Sequence, residues 1–461
     1  MEQKCRINLS MPKITVIGAG LSGLTTAYRL HQQGFDVDVY EARNRVGGRV
    51  FSVKIGDEIG ELGGKNFAGG GDATHSYNLI QELGLELIEH RNPKPDYCYI
   101  NNNNLINVNQ AMQAYNISPE ALDQKLKHLA ANASSMHDVL QQLFSNDPIL
   151  YDVYRSLLAA YEGSDVTFLS PRYITTLYHM LLGGWSSVHP HDEPGVLWAY
   201  IKGGNNLLAQ RLAEQLQGNV HLNSPLTAVT KGASGSYLLT FASGEQQTTD
   251  ILILTMPCSV YHDIAFTTDV IPADRLATLQ AIQYGTNAKI LVPIVTPPHE
   301  ALLVISHRAI LGSGYQKTHA ILYYIGAGTH FNASTIDAVF ARDRAIVEQA
   351  YTLQPLSDVP TCAKDEQFAH YAGPVAHSWP GDPYAQGSYS CIGAGQEITF
   401  TQLEECAGEQ VKTLFAPINN TLFFAGEHTC INMDICGTME AAIESGERTA
   451  RIIATLRSIN V

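Results

Sequence analysis

The segment from Lys13 to Arg49, KITVIGAGLSGLTTAYRLHQQGFDVDVYEARNRVGGR, constrains the fold more than any other part of the chain. An apolar run of β type, Ile14 to Ile17, enters Gly18-Ala19-Gly20-Leu21-Ser22-Gly23. A helical pattern follows, and a second β-type run, Val37 to Tyr40, delivers Glu41. Strand, glycine turn, helix, strand and acid in that order are expected of a dinucleotide-binding βαβ unit. Gly18 permits the tight turn, and Gly20 lets the backbone approach a pyrophosphate without a Cβ in the way. Gly23 lets the helix lie close on the strand. The helix N-terminus around Ser22 offers unpaired N–H groups and a partial positive charge to phosphates. Glu41 suits a ribose diol.

Just beyond the acid, after Arg43, comes Arg45-Val46-Gly47-Gly48-Arg49. A nicotinamide-only site has no evident need for a second glycine pair flanked by arginines. An extended dinucleotide with a bulky tricyclic ring does. Arg49 can neutralise its pyrophosphate, and the glycines let the chain run along it.

Taken together, Gly18-x-Gly20-x-x-Gly23, Glu41 and Arg45-x-Gly47-Gly48-Arg49 resemble the FAD-binding entry of flavin-containing amine oxidases, a family with monoamine, polyamine and L-amino-acid oxidase members. The resemblance spans nearly the whole chain and is weakest between about 95 and 200. It implies an α/β, discontinuous two-domain flavoprotein. A Rossmann-like FAD-binding domain would take 1–75, 202–283 and 384–461. A mixed α+β substrate domain would take 76–201 and 284–383, with a helical insert over 110–200.

Composition agrees with that scale. The 461 residues exceed what one compact core usually holds, and 45% hydrophobic with 16% charged residues suits a globular interior. A net charge of −15 without any basic run argues against nucleic acid as a partner. The N-terminal MEQKCRINLSMPK lacks the apolar core of a signal peptide, and no apolar stretch approaches the roughly 20 residues of a membrane span. Some amine oxidases carry a C-terminal anchor. Here the chain stops at Val461, just after its last helical pattern, so no membrane anchor is expected. Eight cysteines without a CxxC and without an export signal point to reduced thiols and a cytoplasmic location. Cys430 and Cys436 are close in sequence. They read as inert small side chains, with a redox role as the alternative.

Along the chain, Asn101 to Asn104 reads as a hairpin turn between Tyr97–Ile100 and Leu105–Ile106. From about 110 to 185 the apolar spacing is helical, as in Leu122, Leu126 and Leu129. A helix is expected over Leu207 to Leu216, with short strands at Val220–Leu222, Tyr237–Phe241 and Ile251–Leu254. From about 285 to 385 strands and helices are expected to alternate.

The resemblance assigns further cofactor contacts. Gly63 and Gly64, after Glu61-Leu62, would lie along the flavin ring. Leu226 would border the adenine. Gly426 and Glu427, delivered by an apolar run from Leu422, would reach the ribityl chain. Thr438 and Met439 open a helix whose N-terminus would face the pyrimidine edge, stabilising negative charge on reduced flavin. Covalent-flavin members carry cysteine immediately before an aromatic that is here Tyr389. The residue here is Ser388, so noncovalent FAD is expected, and Cys391 lies too far along to substitute.

Two residues stand out for the chemistry. Lys289 opens an apolar run, so its flanks predict burial. In the family the matching lysine holds a water against flavin N(5). Tyr389, following Trp379 and the Asp382-Pro383 turn, matches one wall of the aromatic pair between which an amine passes. The second wall falls at Thr438, which widens the substrate pocket or makes it more polar. Amino-acid oxidases carry an arginine where this chain has Asn66, with Lys65 beside it. No metal ligand set is legible. The expected activity is oxidation of a small-molecule amine to an imine, with dioxygen as acceptor and hydrogen peroxide as product. The alternatives are an L-amino-acid oxidase using Lys65 for a carboxylate, a desaturase or carbon–carbon oxidase of the same fold, and a non-catalytic FAD-binding interaction protein.

Overall fold

The computed structural model describes residues 12–459 other than 72, 93–95, 102–103, 109–117, 184–195, 233–234, 297–301, 307–308, 315–317, 325–330, 357–358 and 367. The first two β-type runs are strands with the expected bounds, Ile14–Ile17 and Val37–Tyr40, and helix Leu21–Gln32 joins them. They sit inside a five-stranded parallel sheet. Its order is Val220–His221, Val37–Tyr40, Ile14–Ile17, Ile251–Leu254 and Leu422–Phe424.

Side chains alternate across a strand, so each strand feeds two cores. Ile14, Val16, Ile251 and Ile253 pack with Leu24 of the first helix and with Ile443 and Ile453 of the last. Ile17, Leu252 and Leu254 face the other way, onto Val229, Leu239 and Phe241 of a smaller sheet. Burial on both faces explains why Ile251–Leu254 reads as an unbroken apolar run. The first helix lies along the last, Met439–Ile459. Gly446 makes that approach possible, because a Cβ there would stand 2.6 Å from the Ser22 carbonyl oxygen.

A larger sheet runs Thr361–Cys362, Val375–Ser378, Ala288–Thr296, His319–Tyr324, Ala309–Ser313, Leu302–Ile305, Asp96–Asn101 and Asn104–Asn107, with Thr352–Leu353 attached to one side. The last two strands form the expected hairpin, although positions 102 and 103 of its turn lie outside the described residues. The alternation expected from 285 to 385 is different in the fold. Among the described residues one helix, Ile336–Ala350, accompanies these strands. Short apolar runs fit a buried strand and a buried helical turn equally well, so periodicity could not separate them.

The helical stretch comprises Pro119–Ala130, Met136–Leu143, Pro148–Glu162 and Ile174–Gly183. Local chemistry sets their ends. Ser118, Ser135 and Asp147 cap three N-termini with their side chains, and proline follows Ser118 and Asp147. Gly163, at φ +83°, closes Pro148–Glu162 in the left-handed region. Leu122 and Leu126 are buried as their spacing predicts. The helix after Gly204 spans Asn206–Gln215, one residue earlier than its apolar pattern. Among the described residues, no helix is long and apolar enough to cross a membrane.

Candidate functional site

A cavity of about 1190 Å³ runs from the glycine turn to the helical stretch. It exceeds the ~300–1,000 Å³ usual for a drug-sized ligand, which leaves room for an extended nucleotide and a substrate together. The residues expected to hold the cofactor and the substrate line it, apart from Gly23; Arg45 and Asp382 lie behind its wall.

The three glycines of the turn serve three different needs. Gly18 has φ +107°, and a Cβ there would meet Thr255 Oγ1 at 2.7 Å. At Gly23 a Cβ would stand 2.0 Å from the Gly18 carbonyl oxygen, so this glycine acts behind the cavity by seating the helix. A Cβ at Gly20 would meet no protein atom within 4 Å and would project into open space. The helix that follows has no side-chain cap and no acid in its first turn, so its positive end addresses the cavity uncompensated. Gly47 bridges to Gly20, its N–H donating to the Ala19 carbonyl at 2.8 Å. The second glycine pair thus runs beside the first turn.

Glu41 is buried and positioned by the backbone, accepting from the N–H groups of Ala19 at 2.8 Å and Arg43 at 3.0 Å. Arg43 is buried with its guanidinium on Asp382, with Glu41 and Asp365 each at 3.7 Å. Arg45 is an internal brace. It stacks on Phe51 at 4.0 Å, pairs with Asp365 at 2.6 Å and donates to the Gly48 carbonyl at 2.9 Å, which shapes the glycine pair. Burial, with Arg43 alongside, pulls the Arg45 guanidinium down to about 10.

Arg49 connects the first part of the chain to the last. Its Nη1 donates to Glu427 Oε1 at 2.8 Å and to the Ser388 carbonyl at 2.7 Å. Glu427 is buried and also accepts from Ser390, through N–H at 3.1 Å and Oγ at 2.6 Å. Burial pushes its carboxyl up, but Arg49 and these donors hold it below the ordinary value. A buried carboxylate needs such partners. Thr438 caps the last helix, its Oγ1 accepting from the Ala441 N–H at 3.1 Å. Met439 packs on Gly64, where a Cβ would come 3.0 Å from its sulfur.

Lys289 lies on strand Ala288–Thr296 and is buried, as its flanks predict. Its Nζ donates to the carbonyl oxygens of Glu61 at 3.0 Å and Gly63 at 2.5 Å. Burial, helped by the neighbouring Lys65, pulls its ammonium down to about 7. Lys65 is itself lowered to about 8 by burial. Glu61 is raised to about 7 by burial, although it accepts from the Asn205 N–H and Ser52 Oγ. Trp379 donates its indole N–H to the Leu62 carbonyl at 3.1 Å, which fixes the ring against the same turn.

Tyr389 is wedged between two glycines. A Cβ at Gly163 would stand 2.7 Å from its ring, and one at Gly437 2.8 Å. Its hydroxyl is shared between the carbonyls of Tyr161 at 2.8 Å and Ala160 at 3.0 Å, and accepts from Asn287 Nδ2 at 3.0 Å. Cys391 is buried with its thiol toward the Gln283 carbonyl at 3.8 Å and does not line the cavity, whereas Ser388 does.

Sequence reasoning missed Glu162 and Asn287. Glu162 ends helix Pro148–Glu162 and faces the cavity. Its carboxyl accepts from Thr176 Oγ1 at 2.6 Å and has no ion-pair partner among the described residues. Burial raises it to about 8. The signal available was an acid in the last turn of an apolar helix, where the macrodipole disfavours it. Asn287 carries a buried Oδ1 without a hydrogen-bond partner. Glycines that leave room for a pyrophosphate, an uncapped helix start and the Glu41 carboxylate fit an extended dinucleotide such as FAD. Among the described residues, no group of three or more His, Cys, Asp or Glu is placed to hold a metal ion.

The model of the family described as flavin containing amine oxidoreductase matches residues 21–454. L-amino-acid oxidase of Mus musculus is 26% identical over 95% of this chain and 70% of its own length. Lysine-specific histone demethylase 1 homolog 3 of Arabidopsis thaliana is also 26% identical, over 97% of this chain but 30% of its own length. The probable flavin-containing monoamine oxidase A of Dictyostelium discoideum is 23% identical over 95% of this chain and 97% of its own. Among solved structures, cyclohexylamine oxidase from Brevibacterium oxydans IH-35A has a TM-score of 0.71 at 20% identity, covering 98% of this chain and 100% of that one. Putrescine oxidase bound to putrescine has a TM-score of 0.69 at 19% identity, covering 97% of this chain and 99% of that one. These two likenesses concern the mixed α/β fold.

Proposed function

This chain belongs to the flavin-containing amine oxidoreductase family, and from that premise we propose that it oxidises a small-molecule amine with noncovalently held FAD and dioxygen, releasing an imine and hydrogen peroxide. When bound, the flavin accepts a hydride equivalent from the amine carbon and returns the electrons to dioxygen. The chain's own residues hold the cofactor and prepare the amine. The Gly18–Gly20 turn and the uncapped helix would take the pyrophosphate, Glu41 a ribose, and Arg49 with Glu427 the ribityl side. Ser388, in place of cysteine, supports a noncovalent bond to the protein. On this reading 1–75, 202–283 and 384–461 form the FAD-binding part and the rest the substrate part.

The observation that carries the reading is Lys289. A lysine is placed on an apolar strand, inside the cavity that also holds the glycine turn, with its proton affinity lowered to about 7. Such a group can hold a water and exchange a proton near neutrality. Glu162, raised to about 8, holds its proton at neutrality and becomes a base for an entering ammonium as pH rises through that value, leaving the uncharged amine that oxidation needs. Tyr389 and Trp379 supply aromatic walls and exclude water. Asn66 in place of arginine favours amines over amino acids. Lys65, in the same cavity, keeps an L-amino acid as the second reading.

The deciding experiment is a peroxide-release screen across polyamines, aryl amines and L-amino acids, paired with anaerobic bleaching of flavin absorbance. A flavin-loaded protein bleached by no amine and no amino acid would refute the reading. Bleaching without peroxide in air would point to another acceptor or to desaturation.

A further inference from the structure

Lys412 is fully buried, yet among the described residues it forms no ion pair with a carboxylate. Its Nζ lies 3.9 Å from the centre of the Phe400 ring, donates to the His428 carbonyl at 3.1 Å, and points its remaining reach at Cys436 Sγ, 3.7 Å away. Glu427 acts on it only at longer range. A buried ammonium without a counter-charge is costly, and among the described residues the ionisable side chain it touches is the Cys436 thiol. Cys436 in turn lies beside Cys430, its Sγ 3.7 Å from the Cys430 carbonyl oxygen. Cys430 is fully buried and its thiol donates to the Asn432 carbonyl at 3.3 Å. Cys436, in contrast, lines the large cavity, immediately before Gly437 and Thr438.

We propose that Cys436 and Cys430 form a peroxide-reactive dithiol, in which Lys412 holds Cys436 as thiolate and Cys430 resolves the product as a disulfide. The ionisation pattern agrees. The neighbouring Cys430 lowers the Cys436 thiol against the effect of burial, and Lys412 adds to it. Cys430 is raised by its neighbour and by burial, so it keeps its proton, which the Asn432 carbonyl accepts. Cationic surroundings and access are what make a cysteine reactive.

The chemistry balances without another reactant. The Cys436 thiolate attacks one oxygen of hydrogen peroxide. The O–O bond breaks, Cys436 becomes a sulfenic acid, and the hydroxide leaving takes a proton to become water. The Cys430 sulfur then attacks the Cys436 sulfur. The S–O bond breaks, a second water leaves with the Cys430 proton, and the disulfide remains. Two thiols lose two electrons and one peroxide gains them. Return to the dithiol needs a small-molecule or protein thiol. The pair would consume peroxide within the cavity, but the proposal does not depend on the amine reading, because peroxide can be added from outside.

The test uses the purified flavin-loaded protein with added hydrogen peroxide, followed by alkylation under denaturing conditions and peptide mass analysis. The tryptic peptide Thr413–Arg448 carries Cys430 and Cys436 and no other cysteine. It is expected to lose two hydrogens and resist alkylation at peroxide levels that leave the other cysteines alkylatable. Cys430→Ser should divert Cys436 to sulfinic and sulfonic acids, whereas Cys436→Ser should leave Cys430 reduced. Lys412→Met should slow oxidation of Cys436 by about tenfold or more. Should Lys412→Met lose its flavin, the pH profile of Cys436 alkylation in the unaltered protein decides instead. Reactivity persisting well below the ordinary thiol range of about 8.5 supports the thiolate. A peptide that stays reduced in excess peroxide would overturn the proposal. So would indiscriminate oxidation of all cysteines, or a Cys436 profile typical of an ordinary thiol.

Discussion

The ammonium of Lys289 is bonded to the backbone of the turn that carries Gly63 and Gly64, 2.5 Å from the Gly63 carbonyl oxygen. One side chain therefore ties strand Ala288–Thr296 to a glycine segment more than two hundred residues earlier, and both line the same cavity. Replacing Lys289 by Met should remove the proton and water partner while filling the same apolar space. The expected outcome is reoxidation by dioxygen slowed by about a hundredfold, with anaerobic reduction by the amine little changed. Stopped-flow absorbance of the two half-reactions checks this. Equal slowing of both would assign Lys289 to amine binding instead.

Gly20 and Gly23 should fail in opposite ways. Ala at Gly20 meets no protein atom, so Gly20→Ala should fold normally and lose flavin affinity by at least about tenfold, or about 1.4 kcal/mol. Ala at Gly23 collides with the Gly18 carbonyl, so Gly23→Ala should lose about 1–3 kcal/mol or more of stability with or without flavin. Thermal unfolding with and without added FAD separates the two. Normal flavin retention in Gly20→Ala would count against a pyrophosphate at this turn.

Glu162 gives a pH dependence with a definite sign. Its carboxyl is raised to about 8, so it keeps its proton through neutrality and ionises above. The KM for a cationic amine should fall as pH rises through about 8, and Glu162→Gln should flatten that profile. Stability moves the other way. The folded state holds a proton that the unfolded chain releases between the ordinary glutamate value and about 8, so stability is lost as pH rises across that window. Glu162→Gln removes this loss and should raise the melting temperature most at alkaline pH.

Asp382 is held well below the usual carboxylate range, because His377 and Arg43 bond to it although burial acts the other way. Asp382→Asn leaves Arg43 buried against Glu41 and Asp365 alone, and should cost about 3–5 kcal/mol at neutral pH. A depressed carboxyl contributes stability that is present above its unfolded value and lost as pH falls through its folded value. The gap between the two proteins should therefore narrow below about pH 4, measured by denaturant unfolding across pH.

The cofactor half of the site was legible because its demands are local. A turn that admits only glycine, a strand buried on both faces and an acid at a strand end leave marks within a few residues, as Gly18, Ile251 and Glu41 show. The buried position of Lys289 was legible for the same reason, from its apolar flanks. The pairing of Asp96–Tyr99 with Leu302–Ile305 was not, since a parallel contact across two hundred residues has no local signature. Glu162 was hidden because the helices around it carry only an ordinary core pattern. Its meaning comes from a cavity assembled by segments distant in the chain. The arginine cluster was legible in part. Arg49 stood out in the sequence as a charge for phosphate, but its bonds to Glu427 and the Ser388 carbonyl, like the bracing of Arg45 by Phe51 and Asp365, come from residues that only the fold brings to it.

Gly446 lets the closing helix settle directly onto Ser22 in the opening one. The cradle around the first glycine turn is thus backed by a helix more than four hundred residues further along the chain. Gly47 and Glu41 brace the turn from nearby in the chain, but the helix that packs behind it comes from its far end. A chain cut short before this helix would keep the fingerprint while losing the grip.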